Sequence, residues 1–234
     1  RIVREVAGQI PGERLGIHTH NDTENAVANS LAAIEAGCRQ VQGTINGLGE
    51  RCGNANLVSL LPTLILKQGF ETGVARDALP KLTEVSHMLE ERLNRAPNRH
   101  APYVGASAFA HKAGLHVSAV EKDPSLYEHV DPALVGNRRQ IVVSDQSGRA
   151  NILSNFRDMG IEIANDDPRV MRLVEEVKER EFQGYAYDGA AASFALLAHR
   201  LVGEVPDYYA LDGFRVIDER RVNAKGDLIT LSEA

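Results

Sequence analysis

The run Leu15-Gly16-Ile17-His18-Thr19-His20-Asn21-Asp22, with Gly43-Thr44-Ile45-Asn46-Gly47-Leu48-Gly49-Glu50-Arg51-Cys52-Gly53-Asn54 behind it, decides how this chain is read. Residues 15–19 form a short strand, and Asn21-Asp22 cap a helix over residues 23–36, where Ala26, Leu31 and Ile34 recur at near-helical spacing. Gly37 ends that helix in the manner of a C-cap glycine. Residues 39–45 read as the next strand, residues 46–53 as a glycine-bearing loop, and residues 54–68 as a third helix that starts at Asn54. Helices and strands alternating across brief turns are the mark of parallel β/α units, so the class is α/β. Residues 1–9, closed by Pro11-Gly12, add a helix in front. Two complete repeats are visible, and no third follows.

Outward from that segment the pattern changes after Gly69. Residues 77–94 read as a helix with Leu79, Leu82, Val85, Leu89 and Leu93 on one side, followed by Pro97 and Pro102. Residues 104–143 are loop-rich, with a short helix near 110–120 and a short strand at 140–143. Three more helices are expected at 148–157, at 168–183 with Pro168 in the first position, and at 189–201 after Asp188 as cap. The last is apolar around most of its circumference and is expected to lie buried between elements or in a subunit contact. Beyond Pro206 the text turns β-like: residues 208–221 alternate in places, 223–227 form a turn, and 228–231 begin another strand.

Composition narrows the function classes. With 234 residues, 43% apolar and 25% charged, the chain can build one large or two modest domains, and its composition disfavours disorder. Lys and Arg number 26 against 32 Asp and Glu, a net charge of −6, so no basic excess is present to hold nucleic acid. Cys38 and Cys52 are too few for a disulfide framework, both sit among residues that read as buried, and a reducing, cytoplasmic setting fits. Residues 57–66 are interrupted by Ser59, Pro62 and Thr63 and fall short of the ~20 apolar residues of a membrane span. The first residues lack a starting Met and resemble the middle of an amphipathic helix, so the chain is expected to begin inside a longer protein.

His18 and His20 stand at i and i+2 of a strand, so both imidazoles point to one face and can share a metal ion. That face, at the carboxyl end of a parallel strand, is where β/α proteins build sites; a His-x-His in a polar strand end can also arise by chance. In the second motif Gly47, Gly49 and Gly53 let the backbone approach a ligand, and Asn54 offers a neutral carbonyl oxygen. Alone, that loop also reads as an ordinary βα connection with a surface Glu-Arg pair. It fits neither the phosphate-loop nor the dinucleotide pattern.

Together, in this order and at this separation, the two motifs resemble the isopropylmalate, homocitrate and citramalate synthase family, acetyl-CoA-dependent enzymes built on a metal-containing TIM (β/α)8 barrel. The resemblance implies that His18 and His20 are metal ligands and that Asn54 lies at the metal site. Gly49 and Glu50, inside the second motif, are the candidates for cofactor contact. The family's remaining ligand is an Asp from an Arg-Asp pair on the first barrel strand, a segment this chain does not contain. Ser107-Ala108-Phe109-Ala110-His111-Lys112-Ala113-Gly114-Leu115-His116, Tyr127-Glu128-His129-Val130-Asp131-Pro132, Val135-Gly136-Asn137 and Ser144-Asp145-Gln146-Ser147-Gly148-Arg149-Ala150-Asn151 resemble the family's accessory subdomain. His116 and Tyr127 match a His and a Tyr that reach the active site from the partner subunit, which implies a homodimer; read without the family, His116 is a structural or surface histidine and Tyr127 a loop aromatic. His87, His100, His111, His129 and His199 are read as structural or solvent residues.

Within the family, residues 185–201 and the tail 208–234 are most similar to the longer class of citramalate synthases, whose tail opens a regulatory domain that binds an amino-acid effector. The resemblance then implies residues 1–72 as the last β/α units of a barrel, 73–205 as mostly helical accessory subdomains, and 206–234 as the start of an α+β regulatory domain; a closed barrel alone takes about 250 residues. It implies a divalent metal (Mg, Mn or Zn), acetyl-CoA as co-substrate and pyruvate as acceptor, giving (R)-citramalate on a route to isoleucine. Three rivals stand beside it. One is 2-isopropylmalate synthase, which takes 2-oxoisovalerate. Another is a metal-dependent hydrolase, whose further His and Asp ligands are missing downstream of Asn54. The third is a fragment or assembly module, inactive by itself. Neither a nucleic-acid nor a membrane partner is expected.

Overall fold

The computed structural model describes residues 1–112, 114–203, 205, 210 and 212–233. It divides into two compact units, Arg1–Ala191 and Ala192–Ala234. The expected boundary at Pro206 and the start of the alternation at Tyr208 lie outside the described residues.

The first unit opens with helix α1 (Ile2–Ala7), strand β1 (Gly16–His18), helix α2 (Ala26–Glu35) and strand β2 (Gln40–Gln42). The strands pair in parallel, Gly16 with Gln40, Ile17 with Val41 and His18 with Gln42, which is the β/α arrangement read from the sequence. Helix α2 starts three residues later than expected because Glu24 takes a left-handed φ of 60°, which no helix continues. Asn21 does act at that start, its Oδ1 accepting from the Ala26 amide at 3.2 Å. Asp22, expected to cap, instead accepts both arms of the Arg51 guanidinium at 3.0 and 2.9 Å.

Helix α3 (Leu57–Pro62) corrects another expectation, since Asn54 does not stand at its start. Residues 54 and 56 are held by bridges to His20 and Thr44, and the cap is Asn56, whose Oδ1 accepts from the Val58 amide at 3.0 Å. Pro62 has no N–H for the preceding turn, and the chain goes on as a π-turn over Thr63–Lys67. Ala26, Ala55 and Leu60 are buried together, with Val27, Leu31, Val41 and Leu57 packed on them, so α2 and α3 share one apolar layer with β2.

The helix expected at 77–94 is a 3-10 stretch over Arg76–Lys81, with Pro80 inside it, continued directly by α4 (Leu82–Arg92). A short strand β3 (Ala110–His111), not anticipated, stands where the next helix was expected to begin. That helix is α5 (Gly114–Lys122), and β3 pairs in parallel with β4 (Gln140–Ile141). Two residues are too few to show a period, which is why β3 left no trace in the pattern. Val58, Leu82, Tyr103, Val104, Phe109 and Val135 form the core that joins α3, α4 and the region after them. Helices α6 (Arg149–Asp158) and α7 (Pro168–Phe182) follow as expected, α7 with Pro168 at its first position and Asp167 accepting from the Arg169 amide at 2.8 Å. Val170, Leu173, Val174 and Val177, at helical spacing, form its buried stripe.

The second unit holds most of α8 (Ala191–Val202) and a hairpin of β5 (Ile217–Val222) and β6 (Leu228–Glu233). Within this one chain helix α8 is buried along one stripe, Phe194 and Ala198, while Leu196 is 44% exposed, so the chain's own described elements do not cover it all round. The expected turn at 223–227 is present, with Asn223 Oδ1 accepting from the Lys225 and Asp227 amides at 2.9 Å each. Cys38 is buried as expected, but Cys52, in the loop after β2, is exposed. No helix among the described residues is long and apolar enough to cross a membrane.

Candidate functional site

Strand alternation sorts the residues at the end of β1. The Thr19 hydroxyl turns into α2, 3.0 Å from the Ala26 carbonyl and 3.0 Å from the buried Ser30 hydroxyl. His18 and His20 therefore face the other way, their ring centroids 5.1 Å apart and their planes at 74°. The loop after β2 closes on them: Asn21 N donates to Gly53 O at 2.8 Å, Ala55 N donates to Thr19 O at 3.1 Å, and His20 and Asn54 face each other in an antiparallel bridge.

Two glycines make that closure possible. A Cβ on Gly49 would stand 2.7 Å from Cγ and Nδ2 of Asn54, so any larger residue would displace the amide. Gly53 has φ of +92°, and a Cβ there would stand 2.0 Å from the Gly47 carbonyl oxygen.

Among the described residues, the buried side-chain polar atoms without a hydrogen-bond partner are His20 Nδ1 and Asn54 Oδ1. A buried acceptor left unsatisfied costs about 1–3 kcal/mol, so two such atoms at one place call for a ligand that both can reach. A ring nitrogen and an amide oxygen are both lone-pair donors, and with the His18 imidazole beside them they fit the neutral part of a divalent-cation shell. Among the described residues no three His, Cys, Asp or Glu side chains are grouped so as to hold a metal ion by themselves. Asp22 is not the missing anion: it is bound to Arg51, whose hydrogen bond holds its carboxyl below the usual aspartate range. Glu50 stands apart, its side chain 81% exposed and its carboxylate 3.8 Å from Arg51.

A residue that sequence reasoning missed is Asn46. It takes φ of 58°, which tucks its amide under α4, where Nδ2 donates to Ser86 O at 3.0 Å and to Glu90 Oε1 at 2.9 Å, and Oδ1 accepts from the Ser86 hydroxyl at 2.6 Å. The signal available was Ser86, a small polar residue close to the apolar side of α4. Asn46→Ala should cost about 1–3 kcal/mol, because buried Ser86 loses its acceptor and Ala tolerates the left-handed turn poorly. Urea unfolding of the variant checks this, and a loss below 0.5 kcal/mol, about the scatter of a surface substitution, would show that the clamp holds nothing.

The other predicted pair lies in a second group. The His116 ring, on α5, is 4.5 Å from the half-exposed Tyr127 ring, which also meets the edge of His111 at 6.4 Å. Next to Tyr127, the Glu128 side chain is only 3% exposed and accepts Arg139 Nε and Nη2 at 2.6 Å each and His111 Nε2 at 3.2 Å. Among the described residues no hydrogen bond, ion pair or ring contact joins this group to His18, His20 and Asn54.

Burial pushes the Glu128 carboxyl up, but the Arg139 fork and His111 outweigh it and hold the group below the usual glutamate range. Since folding lowers this pKa, the stability it adds is complete above the ordinary value of about 4.3 and is lost as pH falls through the lower folded value. Glu128→Gln should therefore flatten the acid limb of a pH series of urea midpoints. An acid limb identical to that of the parent would refute the linkage.

Residues 1–87 match the HMGL-like family, and residues 103–184 match the homocitrate synthase post-HMGL domain-like family. An (R)-citramalate synthase from Geobacter sulfurreducens is 51% identical over 220 residues, 94% of this chain and 41% of that protein. The chain belongs to the citramalate, isopropylmalate and homocitrate synthase family. An (R)-citramalate synthase from Aquifex aeolicus is 47% identical over 233 residues, 100% of this chain and 43% of that protein. A probable 2-isopropylmalate synthase from Methanopyrus kandleri is 37% identical over 194 residues, 82% of this chain and 37% of that protein. The chain thus spans about two-fifths of the length of the curated relatives it matches. His18, His20, Asn46 and Asn54 fall within the HMGL-like match, and His116, Tyr127 and Glu128 within the post-HMGL match.

Proposed function

We propose that this chain carries part of the active site of a synthase that joins acetyl-CoA, pyruvate and water into (R)-citramalate and free CoA. The observation that carries the reading is the pair of unpartnered buried atoms, His20 Nδ1 and Asn54 Oδ1, at the carboxyl end of a parallel strand beside His18. In this reading His18 and His20 hold a divalent metal (Mg, Mn or Zn) and Asn54 lies against it. When bound, the metal supplies a Lewis acid for the keto oxygen and carboxylate of the 2-oxo acid. Gly49 keeps the Asn54 amide in place, and Glu50, exposed at the loop tip, meets acetyl-CoA from solvent.

His116 and Tyr127 are the groups for proton transfer or for orienting the thioester, since an imidazole can take or return a proton near neutral pH and a phenol can donate a hydrogen bond. A base removes a proton from the acetyl methyl carbon, that carbon bonds to the keto carbon as the carbonyl π pair passes to the keto oxygen, which takes up a proton, and water cleaves the thioester to leave a carboxyl group and the free CoA thiol. In this reading the protein is a homodimer in which a second copy brings His116 and Tyr127 to the metal half. Residues 1–72 are then β/α units of a TIM barrel, 73–205 accessory subdomains, and 206–234 part of a regulatory domain that takes an amino-acid effector. Pyruvate is favoured as acceptor because the (R)-citramalate synthases reach 51% and 47% identity against 37% for the 2-isopropylmalate synthase.

The test is thiol release by the intact protein from acetyl-CoA with a panel of 2-oxo acids, with and without each metal. Fastest turnover is expected with pyruvate and metal. Preference for 2-oxoisovalerate would replace citramalate with 2-isopropylmalate as product, and turnover untouched by chelation would overturn the metal reading.

A further inference from the structure

Glu128 is the carboxylate that Arg139 and His111 share in the second group, and its surroundings are unusual for a loop. Its side chain is nearly sealed from solvent and is met by three donors from two segments: both arms of Arg139, just before β4, and Nε2 of His111, at the end of β3. The parallel pairing of His111 with Ile141 fixes the strands those donors belong to. Tyr127 and Glu128 are consecutive, and both amides donate to Pro124 O, at 3.1 and 2.9 Å. The backbone that places the Tyr127 ring is thus tied down through the neighbouring carboxylate. The His111 ring, oriented by Glu128, then presents its edge to Tyr127 at 83°, and the other neighbour of Tyr127 is His116.

We propose that Glu128 is a positioning residue: anchored on Arg139 and His111, it fixes the Tyr127 ring against His116. The proposal rests on the reading of His116 and Tyr127 as groups that meet substrate. It deepens that reading, because an ion pair buried behind the loop sets the geometry of an exposed phenol. A ring displaced by about 1 Å can cost on the order of a hundredfold in turnover, so a carboxylate that never touches substrate can control the rate.

The intact protein labelled with 3-fluorotyrosine tests this by fluorine NMR, the Tyr127 resonance being the one lost in Tyr127→Phe. In Glu128→Gln that resonance is expected to move towards the position of free 3-fluorotyrosine and to stop responding to a second change, His116→Ala. Turnover is expected to fall about 10- to 100-fold, with KM for pyruvate and acetyl-CoA changed less than about threefold. His111→Gln, which loses the ring beside Tyr127 but keeps an amide donor near the place of Nε2, should retain most of the parent turnover, whereas His111→Leu should lose turnover as Glu128→Gln does. If Glu128→Gln fails to fold, the two His111 variants decide the matter, and equal turnover in them would overturn the proposal. A parent-like resonance and turnover in folded Glu128→Gln, with turnover lost in Tyr127→Phe, would overturn the positioning role and leave the proposed function standing. A shifted resonance in Glu128→Gln, with full turnover in Tyr127→Phe, would support positioning and remove Tyr127 from the chemistry.

Discussion

Replacing His20 with alanine in the intact protein is expected to cut metal-dependent CoA release from acetyl-CoA and pyruvate by more than about a hundredfold. Loss of a residue that merely orients a metal ligand already costs 10- to 100-fold, and loss of the ligand should exceed that. His20 is the more telling of the two histidines, because its Nδ1 is buried and unpartnered while His18 is exposed. The substitution should not unfold the protein, since the bridge of residue 20 to Asn54 and the bond from Asn21 N to Gly53 O are made by backbone. Removing an unsatisfied buried nitrogen should leave stability equal or slightly raised in the absence of metal. Turnover within threefold of the parent, in a variant that keeps its fold, would refute the assignment.

Replacing Phe109 with alanine is expected to lower stability by about 3–5 kcal/mol, a large share of the roughly 5–15 kcal/mol that holds a typical domain. Phe109 is 2% exposed in the core with Val58, Leu82, Tyr103, Val104 and Val135, and its ring stacks on His129 at 5.6 Å with planes 1° apart. The cavity left behind could not close easily. Asn137 Nδ2 ties Tyr103 O and Gly105 O at 2.9 and 3.0 Å, and Gln140 N donates to Phe109 O at 3.0 Å, so the surrounding backbone is fixed. Urea unfolding measures the loss, and Phe109→Leu, which keeps much of the volume, should lose less than half as much. A loss under 1 kcal/mol would mean that this cluster does not bind α3 and α4 to the region after them.

How much of this was legible follows from what the sequence encodes locally. The i, i+2 spacing of His18 and His20 places both imidazoles on one face whatever the rest of the fold does, and the parallel β1–β2 pair carries that face beside the loop ending in Asn54. The glycines announced a tight loop, and Gly49 and Gly53 are where a side chain would collide. Helix starts were less legible, because Glu24 adopts a left-handed turn and residues 54 and 56 are drawn into bridges, neither of which periodicity records. Least legible were partners distant in sequence. Asn46 meets Ser86 and Glu90, and Glu128 meets Arg139 and His111, only after the fold has formed. Helix α8 carries apolar residues around most of its circumference, and within the described residues of one chain only the stripe of Phe194 and Ala198 is buried; the alternative of a subunit contact concerns a second copy of the chain.

X-ray absorption at the zinc edge of the zinc-loaded intact protein tests the central claim most directly. Imidazole rings on zinc scatter distinctively, with Zn–N near ~2.0–2.1 Å. Two imidazoles per zinc are expected in the parent and one in either His18→Ala or His20→Ala, whereas two imidazoles retained in both variants would contradict the assignment of His18 and His20 as the metal-holding pair.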